Sequence, residues 1–313
     1  MVFKMTRLGS LFSSLFCLPS YIQVESTTKC NLRCRSCIRP QERGSDISLA
    51  LYNSIIEQMV GLRRKRRTIN LTGLGEPLLN PNIVSMVKHA KERGFRVGFF
   101  SNLTLMDEEM SVGLIDARID YVQASFDSVC KETFEKMRLG ADFDRIVENV
   151  KRLVETRNQR AMPYDTRITL FSTVSEENVE EIPKIIELGK SLGVDAVFFG
   201  RAHGSRIENP LSPVRWKNLL EIKTGTKALK QGDPQCIRGV YVTFDGKVLP
   251  CGHFIEMVSR EEYSRFAFGD LNSDSLSDIW FSNRYRQFRT RVILGGKCTY
   301  CPECCPIFEV KFR

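Results

Sequence analysis

The 313-residue chain lacks any apolar run approaching the roughly 20 residues that a membrane-spanning helix requires, so it is not read as a membrane protein. No working export signal is expected either. The opening MVFKMTRLGSLFSSLFCLPS has early basic residues and a short apolar stretch. Ser13 and Ser14 interrupt that stretch, however, no A-x-A-like cleavage site follows, and Phe16 before Cys17 is too bulky for lipoprotein-type processing. A packed or interfacial helix over residues 1–20 remains. With 42% hydrophobic and 27% charged residues, the composition is globular and excludes a disordered chain. No RNA- or DNA-reading motif accompanies the net charge of +9, so nucleic acid is a weak candidate partner. Part of that charge is one run, RRKRR at Arg63 to Arg67, which reads first as a solvated helix end because basic residues favour helix C-termini. An anionic substrate, a nucleic acid or an acidic membrane surface is the alternative.

Cysteine, by contrast, is abundant and clustered: Cys30, Cys34 and Cys37 in CNLRCRSC, then Cys236, Cys251, Cys298, Cys301, Cys304 and Cys305, with Cys17 and Cys130 isolated. Tight spacings in a chain of this length without an export signal point to metal in a reducing compartment rather than to disulfides, and a cytoplasmic location is expected. The first trio is one ligand short of a tetrahedral zinc site.

Between residues 21 and 200 short β-branched or aromatic runs alternate with amphipathic helical stretches. The predicted strands are YIQVES (Tyr21 to Ser26), TINLT (Thr68 to Thr72), FRVGFF (Phe95 to Phe100), DYVQAS (Asp120 to Ser125), RITLFST (Arg167 to Thr173) and DAVFFG (Asp195 to Gly200). Helical patterns between them include SLALYNSIIEQMVGL, NIVSMVKHAKERG, FDRIVENVKRLVETR and NVEEIPKIIELGKSLG, with Gly94 and Gly193 at two helix ends. Such repeats imply parallel strands joined by right-handed crossovers.

The unusual residues fall just past the C-terminal ends of these strands: the cysteine trio, Gly73-Leu-Gly-Glu-Pro77, Ser101-Asn102, Phe126-Asp127, and Arg201 with His203. Barrel enzymes build their sites on that face, so a curved, open (β/α)6 partial barrel is favoured over a doubly wound sheet. From about residue 210 the pattern changes, and VYVTFDGKVLPC reads as a hairpin turning at Asp245-Gly246. The expected organisation is an N-terminal helical extension (1–20), an α/β barrel core (21–209) and a small cysteine-rich domain (210–313).

Three thiolates can hold three corners of a 4Fe-4S cube and leave one iron open for another ligand. Here the sequence resembles the radical S-adenosylmethionine (SAM) superfamily, whose signature is this Cys-x3-Cys-x2-Cys loop after the first strand of a partial barrel. The resemblance implies that SAM chelates the open iron and is cleaved by one electron to a 5′-deoxyadenosyl radical that abstracts a substrate hydrogen, with the protein positioning the cofactor and excluding water. It further implies that Gly73, Gly75, Glu76 and Pro77, similar to the family's GGEP motif but with Leu74 in second place, bind the SAM amino group through a turn that glycine allows to approach closely. Ser101 and Asn102 stand where the family contacts the SAM carboxylate or ribose. Ser125 and Asp127 resemble its SxD segment, and Arg138 the arginine that follows. Turn formation and helix capping are the alternative roles for these residues. Phe99 or Phe100, and Val174, are candidates to pack against adenine.

The second cysteine set resembles the SPASM or shorter Twitch appendage, which carries auxiliary clusters. Cys236, then Gly246-x4-Cys251, then Cys298-x2-Cys301 supply one 4Fe-4S site, with Cys304 able to replace Cys301. Too few cysteines remain for a second complete cluster, so one auxiliary cluster is expected. Zinc stays open, because spacing alone does not separate the two metals. The resemblance implies an oxidoreductase of the Twitch dehydrogenase kind or a SPASM peptide maturase, served by a low-potential donor such as flavodoxin or ferredoxin. Only 29 residues precede Cys30, fewer than the roughly 80 to 100 of a leader-peptide recognition domain. That tilts the expectation toward a small-molecule or lipid-linked substrate over a peptide. For a base, Arg201, His203 and His253 are the candidates. Arginine, with a pKa above about 12, is the poorest of them.

Overall fold

The computed structural model describes residues 16–37, 44–60, 67–160, 166–201, 221, 223–224, 235–256, 260–294 and 308–311. The strands run β1 (Tyr21–Val24), β2 (Arg33–Cys34), β3 (Thr68–Asn70), β4 (Arg96–Ser101), β5 (Tyr121–Ser125) and β6 (Arg138–Leu139). They continue as β7 (Arg167–Val174), β8 (Ala196–Arg201), β9 (Gly239–Val242), β10 (Lys247–Leu249), β11 (Gly269–Asp270) and β12 (Phe308–Lys311). The longer helices are α1 (Leu49–Val60), α2 (Ile83–Glu92), α3 (Glu108–Asp116), α4 (Lys131–Met137), α5 (Phe143–Gln159), α6 (Ile182–Ser191), α7 (Leu276–Phe281) and α8 (Asn283–Ile293).

All six predicted strands form, each within a residue or two of its expected bounds. They pair in parallel and in chain order, β1-β3-β4-β5-β7-β8. A doubly wound sheet reverses its strand order at a switch point. This one never reverses, which is the winding of an open barrel. The Asp245-Gly246 hairpin also forms, and β9 pairs in parallel with β1, Tyr21 opposite Gly239 and Val24 opposite Val242. At the other edge β12 pairs antiparallel with β8. One ten-stranded sheet results, and no pairing among the described residues joins its two edges. The expected boundary near residue 210 lies outside the described residues.

Local chemistry accounts for the element ends. Asp107 and Asp142 cap α3 and α5 by accepting from the Met110 and Arg145 N–H groups at 2.8 and 3.1 Å. Gly94 and Gly193 take the left-handed conformation after α2 and α6, at φ of 80° and 73°. Helix α6 starts later than its sequence pattern because Pro183 fits the first turn of a helix and Val179–Glu181 forms a 3-10 turn ahead of it. Of the basic run, Arg67 is buried and donates to the Met59 carbonyl at the end of α1, as a cation at a helix C-terminus should. The rest of the run lies outside the described residues.

Side chains alternate across the sheet, and the two faces differ. Ile22, Val24, Ile69, Val97, Phe99, Val122, Ile168, Leu170, Val197 and Phe199 face the helices and are all within the main core. Each contributes about 1.5–3 kcal/mol on full burial. The inner face carries Gln23, Asn70, Phe100, Gln123, Ser125, Thr169, Phe171 and Phe198, held side by side by the register Gln23↔Asn70, Phe100↔Gln123↔Thr169 and Ser125↔Phe171↔Phe198.

Candidate active site

The cysteine loop leaves the C-terminal end of β1 and is tied down by its own backbone. Cys34 in β2 lies opposite Arg138 in β6. The Arg35 N–H donates to the Met137 carbonyl at 2.9 Å, and the Cys37 N–H to the Cys34 carbonyl at 3.1 Å. Cys30, Cys34 and Cys37 lie on this short ribbon, none of them in a disulfide. Burial pushes the Cys34 thiol up to about 11. Arg138 pulls it down, while Asp127, Cys37 and Cys30 push it further up. A thiol held in its neutral form gives up its proton when iron binds.

Asp127 and Arg138 form one unit beside the ribbon. Their ion pair is 2.7 Å long and buried, and the second Asp127 oxygen accepts from the Thr173 N–H at 2.7 Å. The Asp127 carbonyl accepts from Asn178 at 2.6 Å. Asp127 therefore joins the ends of β5 and β7, and it aims Arg138 at the thiols. The Arg138 Nε is buried without a hydrogen-bond partner, a donor still lacking an acceptor.

The Gly73–Pro77 turn lies against the segment that leads into Cys30. The Glu76 N–H donates to the Lys29 carbonyl at 2.7 Å. A Cβ on Gly75 would fall 2.4 Å from the Thr27 carbonyl oxygen and 2.5 Å from that of Lys29, so only glycine seats the turn here. The Glu76 carboxylate accepts from the Ser101 hydroxyl at 2.6 Å, the Leu78 N–H at 3.1 Å and the Asn102 N–H at 2.7 Å. Burial pushes its pKa up, and these bonds and Arg138 pull it back.

Beyond β4 three side chains close a ring. Asn102 donates to Asn31 at 3.1 Å, Asn31 to Thr104 at 2.7 Å, and Thr104 to Asn102 at 2.7 Å. Asn31 sits in the cysteine loop, so the ring couples it to the end of β4. Leu103 within it takes φ of 57°, a left-handed conformation unusual for leucine. Its carbonyl is held by Asn149 at 2.7 Å and its N–H by Ser101 at 2.9 Å.

Other predicted residues are placed as follows. Ser125 ends β5 on the inner face. Phe100 is 38% exposed on that face, whereas Phe99 and Val174 lie in the core, which separates the adenine candidates. Arg201 pairs with Val174 and so lies on the helix side of β8. Cys236 is a member of one apolar cluster with Ile237 and Ile293, and Cys251 packs against it. His203, Cys298, Cys301, Cys304, Cys305 and the side chain of His253 lie outside the described residues. Sequence reasoning missed Asn31, Leu103 and Thr104. Their only signal was position within or beside loops already singled out.

Among the described residues no three His, Cys, Asp or Glu side chains converge as a single metal ion needs. A 4Fe-4S cube asks instead for thiols spread around a larger body with one corner open. The three-thiol ribbon, the unpartnered Arg138 Nε and the turn stripped of side chains at Gly73 and Gly75 fit that cube with SAM beside it. Cys30, Cys34 and Cys37 would hold the cube and the turn the SAM amino group. When bound, the pair supplies one-electron cleavage of SAM to a hydrogen-abstracting radical.

An open parallel barrel with a three-thiol ribbon at the C-terminal ends of its strands, extended by a cysteine-bearing hairpin, defines an iron-sulfur enzyme. The chain belongs to the radical SAM superfamily: that family's profile matches residues 24–189, and that of the SPASM iron-sulfur cluster-binding domain matches residues 236–305. Its cofactors are thus a 4Fe-4S cluster and SAM, with auxiliary iron-sulfur binding in the SPASM domain. It is 28% identical to a tungsten-containing aldehyde ferredoxin oxidoreductase cofactor-modifying protein of Pyrococcus furiosus, over 90% of this chain and 86% of that one. To an AdoMet-dependent heme synthase of Methanosarcina barkeri it is 25% identical, over 90% and 88%. Among solved structures, Streptococcus suis SuiB bound to precursor peptide SuiA shares the fold, with a TM-score of 0.70 at 12% identity over 90% of this chain and 69% of that one. No helix among the described residues is long and apolar enough to cross a membrane.

Proposed function

We propose that the protein is a radical SAM oxidoreductase that oxidises or otherwise modifies a small planar cofactor or cofactor precursor, with one auxiliary 4Fe-4S cluster held by Cys236, Cys251, Cys298 and either Cys301 or Cys304. The observation that carries the substrate class is the inner face of the barrel. A closed (β/α)8 barrel fills that space with branched aliphatic side chains. Here the face carries neutral amides, Gln23, Asn70 and Gln123, and phenyl rings, Phe100, Phe171 and Phe198. Amide edges match the N–H and C=O groups of a heterocycle, and phenyl rings match its faces. Asn70 Oδ1 is buried without a hydrogen-bond partner, an acceptor left over for such a group. The names of the two long relatives, each concerned with a cofactor, support the same reading.

Residues 21–209 then form the radical core and 210–313 the auxiliary domain. With Arg201 on the helix side of β8, His203 is the favoured base. The test is anaerobic reconstitution with iron and sulfide, addition of SAM and dithionite, and measurement of 5′-deoxyadenosine. About eight irons per chain are expected, four for each cube. A protease-treated small-molecule fraction of cell extract should stimulate 5′-deoxyadenosine formation, and Asn70→Leu should lose that stimulation while keeping the basal rate. Stimulation by the peptide fraction alone would reverse the assignment in favour of a maturase.

A further inference from the structure

The family's Gly-Gly-Glu-Pro turn carries Leu74 in this chain, and the structure gives that departure a role. The Leu74 side chain packs against an apolar cluster of Tyr241, Leu249, Phe254, Ile255 and Tyr263 in the C-terminal segment, and Cys251 packs against the same cluster. The backbone of Leu74 reaches the same segment by a second route. Its N–H donates to Glu25 Oε1 at 3.4 Å. Glu25 is fully buried at the end of β1, and its carboxylate also accepts from the Phe244 N–H at 3.2 Å and from Arg260 Nη2 at 3.0 and 3.1 Å.

The contacts around this ion pair are those of a built device. The Arg260 guanidinium lies over the rings of Phe244 and Tyr263, at 5.0 and 5.7 Å. The Tyr241 hydroxyl faces the Glu25 carboxylate and helps to hold its pKa down. Gly73 sits on the Glu25 stem so closely that a Cβ would meet it at 2.3 Å. Burial pushes the Glu25 pKa up, while Arg260 and the two N–H groups pull it back. A buried carboxylate that loses its cation is left uncompensated, so Glu25 holds its place only while Arg260 is docked.

We infer that Leu74, with Glu25 and Arg260 as a positioning pair, couples the Gly73–Pro77 turn to the hairpin that carries Cys251, so that SAM binding and docking of the auxiliary-cluster segment favour one another. Coupling of this kind is reciprocal: whatever factor the docked hairpin adds to SAM affinity, SAM returns to the docking of the hairpin. The inference rests on the reading that this turn seats SAM. Leu74 touches the C-terminal segment rather than the reacting atoms, so it positions and does not catalyse.

The experiment is hydrogen–deuterium exchange on the reconstituted full-length chain, kept oxidised so that SAM binds without being cleaved. In the natural chain SAM should slow exchange in peptides covering both 72–78 and 239–255, with 143–159 as an unchanged reference. Leu74→Gly, which restores the family's residue without burying a charge, should keep SAM protection of 72–78 at saturation but lose that of 239–255. Its SAM Kd should rise by about tenfold, within the usual range of coupling. Arg260→Lys should keep part of the hairpin protection, and Glu25→Gln/Arg260→Gln, a neutral pair, should fold and lose it. Hairpin exchange that ignores SAM in the natural chain, or equal protection in Leu74→Gly, would overturn the coupling. Protection of the hairpin with none at 72–78 would instead remove the turn as the SAM seat.

Discussion

The two cysteine-bearing regions of this molecule are held by different forces. The Cys30–Cys37 ribbon is fixed by hydrogen bonds: pairing of β2 with β6, the Asn31–Asn102–Thr104 ring, and the Asp127–Arg138 pair behind it. The Cys236 and Cys251 side chains pack instead among Ile237, Ile293, Val292 and Phe288, and the polar ties of their segment, the pairing of β9 with β1 and the Phe244 and Arg260 contacts to Glu25, are made by other residues. Hydrogen bonds specify distance and direction, and apolar burial specifies proximity. The first arrangement suits a site that must orient SAM against one iron, and the second suits a site that has only to be near.

The largest expected effect tests the first region. Cys34→Ala should abolish 5′-deoxyadenosine formation and remove the SAM-binding cluster's visible absorption, leaving about four irons per chain on the auxiliary site. Cys251→Ala is the matching change in the second region. It should spare uncoupled SAM cleavage and lose substrate turnover, read as 5′-deoxyadenosine without product. Equal loss of SAM cleavage in both variants would erase the distinction, because it would make the auxiliary site a requirement for folding.

A middle-sized effect sharpens the geometric claim. Gly75→Ala places a Cβ against two backbone carbonyls that have no side-chain freedom with which to yield. Overpacking of this kind costs about 1–3 kcal/mol. Spent on moving the turn, that is about a 5- to 150-fold rise in SAM Kd, measured by equilibrium binding to the oxidised enzyme. An unchanged Kd would mean the turn does not seat SAM.

How much of this was legible in the sequence follows from the range of each signal. The six strands and the cysteine ribbon are local: alternation, β-branching and Cys-x3-Cys-x2-Cys all act within a few residues. The Asp245-Gly246 hairpin was local too. Its pairing with β1, which links Tyr21 to Gly239, leaves no local trace, because a parallel pair across such a separation is set by the whole sheet. Arg260 on Glu25 is hidden for the same reason, and the motif alone gives Leu74 no role because the apolar cluster it packs against lies far away in the chain. The left-handed Leu103 was invisible because its conformation is imposed by Asn149 and Ser101, which over-determine it from outside. The inner face was half legible. Alternation in YIQVES and DYVQAS places Gln23 and Gln123 on one face, and only the winding of the sheet makes that face the interior of a barrel.

The smallest expected effect separates backbone from side chain within the ribbon itself. Arg35 contributes a backbone N–H to Met137 at 2.9 Å and a side chain to Glu177 at 3.0 Å, and both partners of the ion pair are about a third exposed, at 33% and 35%. If backbone pairing fixes the ribbon, the side chain is dispensable, because an exposed pair screened by water and salt is worth about 0–1 kcal/mol. Arg35→Gln should therefore lower stability by less than about 1 kcal/mol in urea unfolding, by still less in 1 M salt, and should leave SAM cleavage within about twofold. A large loss of SAM cleavage that high salt reproduces in the natural chain would place the restraint in the charges, and the contrast between a hydrogen-bonded and an apolar cysteine region would have to be redrawn.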